Sequence, residues 1–307
     1  MNKIIFHNVR DCNLEHIFKC GQCFRWETLD NEFPKSEHKD KSQKDIQRYV
    51  GIANKNIAIV EYNVATKDLT IIGNGSEEFW YKYFDLHRDY GKIKNTLISN
   101  DATIAEAINF GYGIRILNQD LWETILSFII SQNNNIPRIK GCINNLSLYF
   151  GEEIPESKKI GELLNADFKA YSLPNPETVA GLEIEDLNPI RLGYRAKYII
   201  KCARQVSEQG LPKTYEELLA LTGVGPKVAN CIALFGLSKR ESFPIDVWVR
   251  RVMNHVYGLP EDDFKAISEF AASNFGTLGG YAQQYLFYYM RENSKNLQKS
   301  HAISLTK

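Results

Sequence analysis

The chain has 307 residues, 44% hydrophobic and 24% charged, the balance of a soluble globular protein with room for two or three domains and a sizeable core. Lys+Arg and Asp+Glu number 37 each, so a nucleic-acid site must be a local patch and not a property of the whole molecule. Six scattered cysteines (Cys12, Cys20, Cys23, Cys142, Cys202, Cys231) make no disulfide framework, no apolar run reaches membrane-span length, and Met-Asn-Lys-Ile-Ile-Phe-His shows no signal-peptide core. An intracellular location is expected, cytoplasmic, or nuclear in a eukaryote.

The first third reads as β-rich. Strands are expected at 23–27, 48–53, 57–62 and 68–72, separated by polar turns such as Asn54-Lys-Asn56, a spacing that suggests an antiparallel meander. Residues 31–45 are dense in Lys, Glu, Asp and Ser. They read as a solvated excursion between strands, with a DNA-contacting loop as the alternative. From about Leu117 the period becomes helical, and Trp122, Ile125, Leu126, Ile129 and Ile130 recur at three- and four-residue steps to make a buried face. Further helices are expected at 139–150, 194–209, 215–221, 226–237, 247–257, 263–274 and 280–291. The polar tail beyond is expected to fray.

The most informative stretch is Leu221-Thr-Gly-Val-Gly-Pro-Lys-Val-Ala-Asn-Cys231, followed by Phe243-Pro-Ile-Asp246. Gly223 and Gly225 make a tight turn between helices, and Pro226 suits the first position of the second helix. Free N–H groups there bind an anion, such as a DNA phosphate, without reading sequence; the plainer reading is a helical turn. Lys227 sits in the first helical turn, where the positive helix end disfavours a structural cation. It is either another phosphate contact or an amine nucleophile, which must be unprotonated to attack. Asp246 is placed to N-cap the helix that buries Val249, Val252, Met253 and Val256. A capping carboxylate is also a rigidly held one, and such a group can stabilise positive charge developing on a sugar carbon under attack by an amine.

The hairpin, the lysine and Pro-Ile-Asp resemble the helix-hairpin-helix DNA glycosylase superfamily. Cys20-Gly-Gln-Cys-Phe-Arg-Trp26, Ser131-Gln-Asn-Asn-Asn-Ile-Pro-Arg138, Tyr281-Ala-Gln-Gln-Tyr-Leu-Phe287 and, more weakly, Leu192-Gly-Tyr-Arg-Ala196 narrow the likeness to the 8-oxoguanine DNA glycosylase/AP lyases. The resemblance implies an α+β fold: a twisted N-terminal antiparallel sheet (1–113), then a mainly helical region (114–307) of two subdomains with the lesion pocket at their junction. It implies a monomer that takes duplex DNA containing 8-oxoguanine and flips the base out. Lys227 then displaces the base as a Schiff base, β-elimination follows with Asp246 supporting the sugar cation, and neither metal nor cofactor is needed.

For the base pocket, the resemblance implies that the Gly21 carbonyl accepts the N7 hydrogen that distinguishes 8-oxoguanine from guanine. Gln283 reads the pairing edge, and Phe287 and Cys231 cover the two faces. Each has a plainer reading, a turn glycine for Gly21 and core packing for Phe287 and Cys231. Asn133, Arg138, Tyr194 and Arg195 match positions that fill the gap and meet the orphaned base, with the arginines suited to cytosine. A phosphate contact for Arg138 and a loop brace for Asn133 are the alternatives. Two departures stand out. Trp248, a DNA-contact candidate, replaces a histidine that helps near a phosphate in relatives, with Arg250 or Arg251 left to supply charge. Met290 stands where some relatives have an acidic pocket residue. An iron–sulfur glycosylase is excluded because no cysteine follows Cys231, an alkyl-base glycosylase would lack Lys227, and a metal or redox role for Cys20 and Cys23 is the weaker reading of that pair. A non-catalytic DNA-binding module explains the glycines but not Lys227 together with Asp246.

Overall fold

A computed structural model of the chain describes residues 1–29 and 45–304, with side chains as far as 294. The excursion expected at 31–45 lies outside the described residues except for Asp45. Within them, strands β1 (Asn2–Phe6), β2 (Trp26–Thr28), β3 (Ile46–Ala53), β4 (Asn56–Asn63) and β5 (Asp68–Gly73) form an antiparallel sheet in the order β1-β5-β4-β3-β2.

Val60 of β4 pairs with Tyr49 of β3 and Ile71 of β5, and the two-residue period sends alternate side chains to opposite faces. Ala58, Val60 and Tyr62 join an aromatic core with Phe18, Trp26, Trp80 and Phe84. Ile57 and Ile59 join a second core with Val50, Ile154, Ile160 and Ala170. Both faces of the sheet are thus covered, which is why β4 is nearly continuously apolar.

Two sheet details differ from the sequence expectation. The strand expected at 23–27 begins at Trp26, because Gln22, just upstream, serves as a cross-link: its amide donates to the Ile17 and Arg115 carbonyls and accepts from the Leu117 N–H. Strand β1, pairing only with β5 at the sheet edge, was not expected; its exposed start gives little alternation to read.

The helices are α1 (Leu14–Lys19), α2 (Glu77–Tyr83), α3 (Tyr90–Asn100), α4 (Ala105–Phe110), α5 (Leu121–Ser131), α6 (Ile136–Phe150), α7 (Ser157–Leu164), α8 (Pro176–Ala180), α9 (Arg195–Gln209), α10 (Tyr215–Ala220), α11 (Pro226–Phe235), α12 (Val247–Tyr257), α13 (Phe264–Phe275) and α14 (Gly279–Ser304). Side chains of Asp120, Asn135, Thr214, Asp246 and Asp263 cap α5, α6, α10, α12 and α13, satisfying N–H groups that lack helical partners. The backbone of α14 stays helical to Ser304, beyond the fray point expected at Arg291; residues 292–304 contain neither Gly nor Pro to stop it. The helical core includes α3 and α4 as well as Cys20 and Phe24. The sheet is fastened to it where Lys140 donates to the Trp26 carbonyl and to Glu27, both at 2.8 Å.

Candidate active site

The turn between α10 and α11 is built as its glycines require. Gly223 has φ +86°, and a Cβ there would lie 2.7 Å from Cβ of Tyr198. Gly225, exposed, is the N-cap of α11, and Pro226 opens the helix. The Gln132 side chain donates to the Gly223 carbonyl at 2.9 Å, tying the hairpin to the Gln-Asn-Asn-Asn turn after α5.

In the first turn of α11, Lys227 places Nζ 5.5 Å from the ring centroid of Phe128 on α5. Phe128 is itself stacked on Phe235 at 5.5 Å, so the amine stands over a rigid aromatic floor. Cys231, one turn further along, is buried and lies within electrostatic reach of Lys227. Burial pushes its thiol up despite the neighbouring amine, so it meets the site as a neutral, polarisable surface and not as a thiolate.

Asp246 caps α12 through a single oxygen, Oδ1, which accepts from the N–H groups of Trp248 and Val249 at 2.9 Å each. Burial raises its carboxyl above the ordinary value; those two N–H donors, Lys227 and Arg291 pull the other way. Amine and carboxylate therefore lie within electrostatic reach of each other, each held by a helix start. A cavity of about 560 Å³ reaches Lys227, walled by Tyr215, Asn230, Phe243, Ile245 and Phe264 among others.

The candidate pocket residues converge from distant parts of the chain. Gly21 has φ +81°, and a Cβ there would sit 3.1 Å from the Phe287 ring. The two are close neighbours, which brings the segment after α1 against α14. Gln283 is buried; its amide donates to the Pro244 carbonyl at 3.2 Å and accepts from Gln284 at 2.8 Å. It thereby links α14 to the segment carrying Asp246.

The gap-filling candidates also share one face. Asn133 (φ +46°) and Arg138 are exposed, and Tyr194 is 52% exposed. Arg138 donates to the Arg191 carbonyl at 3.2 Å. Arg195 is buried beneath them, with its guanidinium donating to the carbonyls of Gln132, Asn133 and Leu192. Its geometry is that of a brace for the Asn133 turn.

Trp248 is partly buried, with the Arg251 guanidinium 4.9 Å above its ring. Arg250 instead lies over Phe264, so Arg251 is the cation the tryptophan positions. Met290 is buried in the helical core. Cys20 belongs to the helical core and Cys23 to the sheet core. Among the described residues no cluster of three or more His, Cys, Asp or Glu is arranged to hold a metal, and no helix is long and apolar enough to cross a membrane.

One residue at the site was missed from sequence. Arg291 follows Gln283 and Phe287 at four-residue steps on α14, lies over Phe287 at 5.2 Å and reaches Gly21. The 283/287/291 spacing marked it, but the helix was expected to end there.

Residues 4–125 match the 8-oxoguanine DNA glycosylase N-terminal domain, and residues 126–275 match the HhH-GPD superfamily of base excision DNA repair proteins. An N-glycosylase/DNA lyase of Saccharomyces cerevisiae is 33% identical over 278 residues, spanning 81% of this chain and 69% of the relative. A probable N-glycosylase/DNA lyase of Methanothermobacter thermautotrophicus is 30% identical over 239 residues, spanning 68% of this chain and 73% of the relative. The Clostridium acetobutylicum 8-oxoguanine glycosylase/lyase, solved with double-stranded DNA containing cytosine opposite 8-oxoG, superposes with TM-score 0.82 at 38% identity, covering 95% of this chain and 96% of that one.

Proposed function

The chain belongs to the 8-oxoguanine DNA glycosylase family of base-excision repair proteins, and from that membership we propose how its residues divide the work of an N-glycosylase/DNA lyase on 8-oxoguanine. The duplex is gripped at the phosphate backbone by the N–H groups of Gly223 and Gly225 in the hairpin, and by Trp248 with Arg251. Asn133, Arg138 and Tyr194 fill the gap left by the flipped nucleotide, and Arg195 holds their platform in shape. The base enters between Phe287 and Cys231, with its N7 hydrogen toward the Gly21 carbonyl and its pairing edge toward Gln283. Guanine would set its N7 acceptor against that carbonyl, and the unpaired buried acceptor costs about 1–3 kcal/mol.

Lys227 Nζ attacks C1′, the base departs with the glycosidic electron pair, and loss of the ring oxygen bond leaves a Schiff base. Removal of a C2′ proton then expels the 3′ phosphate. Asp246 stabilises the positive sugar while C1′ is between its two partners. The protein works as a monomer wherever the cell keeps its DNA.

The observation that carries this assignment is the setting of Lys227: an amine over Phe128, against the Cys231 thiol, within reach of an anchored carboxylate. Borohydride reduction during turnover tests it. The parent protein should be trapped covalently on an 8-oxoguanine duplex, and Lys227→Gln should not. An undiminished yield from the variant removes Lys227 as nucleophile. Trapping on other lesions but not on 8-oxoguanine moves the substrate.

A further inference from the structure

We propose that Arg291 is a second specificity residue, which donates a hydrogen bond to O8, the oxygen that oxidation adds to the purine. This rests on the pocket reading above, and the starting observation is independent of it: Arg291 is a guanidinium with one arm unspent.

Its side chain is 14% exposed, and Nη2 donates to the Lys19 carbonyl and pairs with Glu292 at 2.9 Å. Nη1, in contrast, is buried without a hydrogen-bond partner in the protein. Leaving a charged donor unpaired away from water costs more than a hydrogen bond returns, so such a group calls for an acceptor. Its position says where the acceptor lies: Nη1 is 3.1 Å from the place a Cβ on Gly21 would take, at the same distance as the Phe287 ring edge. The guanidinium itself lies along Phe287 and Tyr288, 5.2 and 5.6 Å from their centroids.

The order along α14 fits a purine laid lengthwise. Gln283, Phe287 and Arg291 follow at four-residue steps, spanning about 12 Å of helix axis. Gln283 meets the pairing edge and Phe287 the ring, which leaves Arg291 at the opposite, imidazole edge. Gly21 faces N7 at that edge, and O8 is carried by C8, the carbon bonded to N7. Guanine carries C8–H at that atom and so places no acceptor there for the arginine, while its N7 lone pair is the acceptor set against the Gly21 carbonyl. Oxidation adds both an N7 hydrogen and an O8 acceptor; Gly21 supplies an acceptor for the first and Arg291 a donor for the second.

The test compares single-turnover excision of 8-oxoguanine with cleavage of a preformed abasic site, which has no base to read. Arg291→Leu should lower the ratio of excision to abasic cleavage about 10- to 100-fold, the range for a hydrogen bond to a charged donor. Arg291→Lys should restore part of it by keeping a cationic donor. Exchanging O8 for sulfur, a weaker acceptor, should slow the parent but leave the leucine variant little changed. The proposal is overturned if the ratio is unchanged, if both reactions fall together, or if the sulfur penalty persists in Arg291→Leu. A parent that cleaves abasic sites but leaves 8-oxoguanine untouched would instead overturn the substrate reading.

Discussion

At the scale of single residues, the candidate site is built from groups that also hold the fold. Asp246 uses Oδ1 to cap α12, and burial raises its carboxyl above the ordinary 3.8. With a folded value above the unfolded one, its stabilising contribution is complete below the unfolded value and is lost as pH rises through the folded value. The ionised form of the carboxylate is therefore a cost to the fold. Asp246→Asn keeps a capping oxygen and drops the charge, so its melting temperature should equal or exceed the parent's while single-turnover excision becomes much slower. Asp246→Ala loses the cap and should cost about 1 kcal/mol of stability. Calorimetry beside single-turnover kinetics separates the two effects, and an asparagine variant that excises at the parental rate would end the catalytic role. The local settings of Lys227, Asp246 and Gly21 were legible in sequence because each sits in a short motif with strict backbone needs. Arg291 was not, since its meaning depends on contact with Lys19 and Gly21, far away in the chain.

At the scale of elements, the hairpin's two glycines have different jobs. Gly223 is conformational: its φ of +86° and the Tyr198 contact leave no room for a side chain. Alanine there should cost about 1–2 kcal/mol from the left-handed backbone alone, and more from the collision. Gly225 has nothing within 4 Å of an added Cβ and lies at the exposed N-terminus of α11. Gly225→Ala should fold with a loss under about 1 kcal/mol, yet bind DNA at least about tenfold more weakly, because a methyl obstructs the N–H groups facing phosphate. Fluorescence anisotropy on an undamaged duplex across salt concentrations checks this, and parental affinity in a folded Gly225→Ala would remove the hairpin from phosphate binding. From α9 onward the helix starts were legible for the same local reasons, as Asp246 and Asp263 are each the cap of the helix they precede, whereas α1 to α4, α7 and α8 were not expected. Strand β2 was misplaced because the fate of residues 22–25 is set by Gln22 and Arg25, whose partners lie on other elements.

At the scale of the whole molecule, sheet and helices are joined through buried polar contacts that no local pattern announces. Arg25, beside the start of β2, donates to the Tyr171 carbonyl and lies 3.7 Å from Glu123 on α5. Glu123 accepts from the Asn54 N–H at the β3–β4 turn, at 3.2 Å. Because desolvation outweighs the pull of Arg25, the Glu123 carboxyl is pushed up from 4.5 to about 7. Its contribution to stability is thus complete below 4.5 and disappears as pH rises through 7, where ionisation places a poorly solvated charge at the seam. The parent should lose about 2–4 °C in melting temperature between pH 5.5 and pH 8.5 from this group. Glu123→Gln retains an oxygen for the Asn54 N–H and has no proton to lose, so its melting temperature should decline less over the same range and meet or exceed the parent's at the alkaline end. Thermal melts of both proteins across that range decide the matter, because other titrating groups are common to the pair and cancel in the difference. Parallel curves would mean that Glu123 keeps its charge throughout and that Arg25 holds the seam as a stable ion pair.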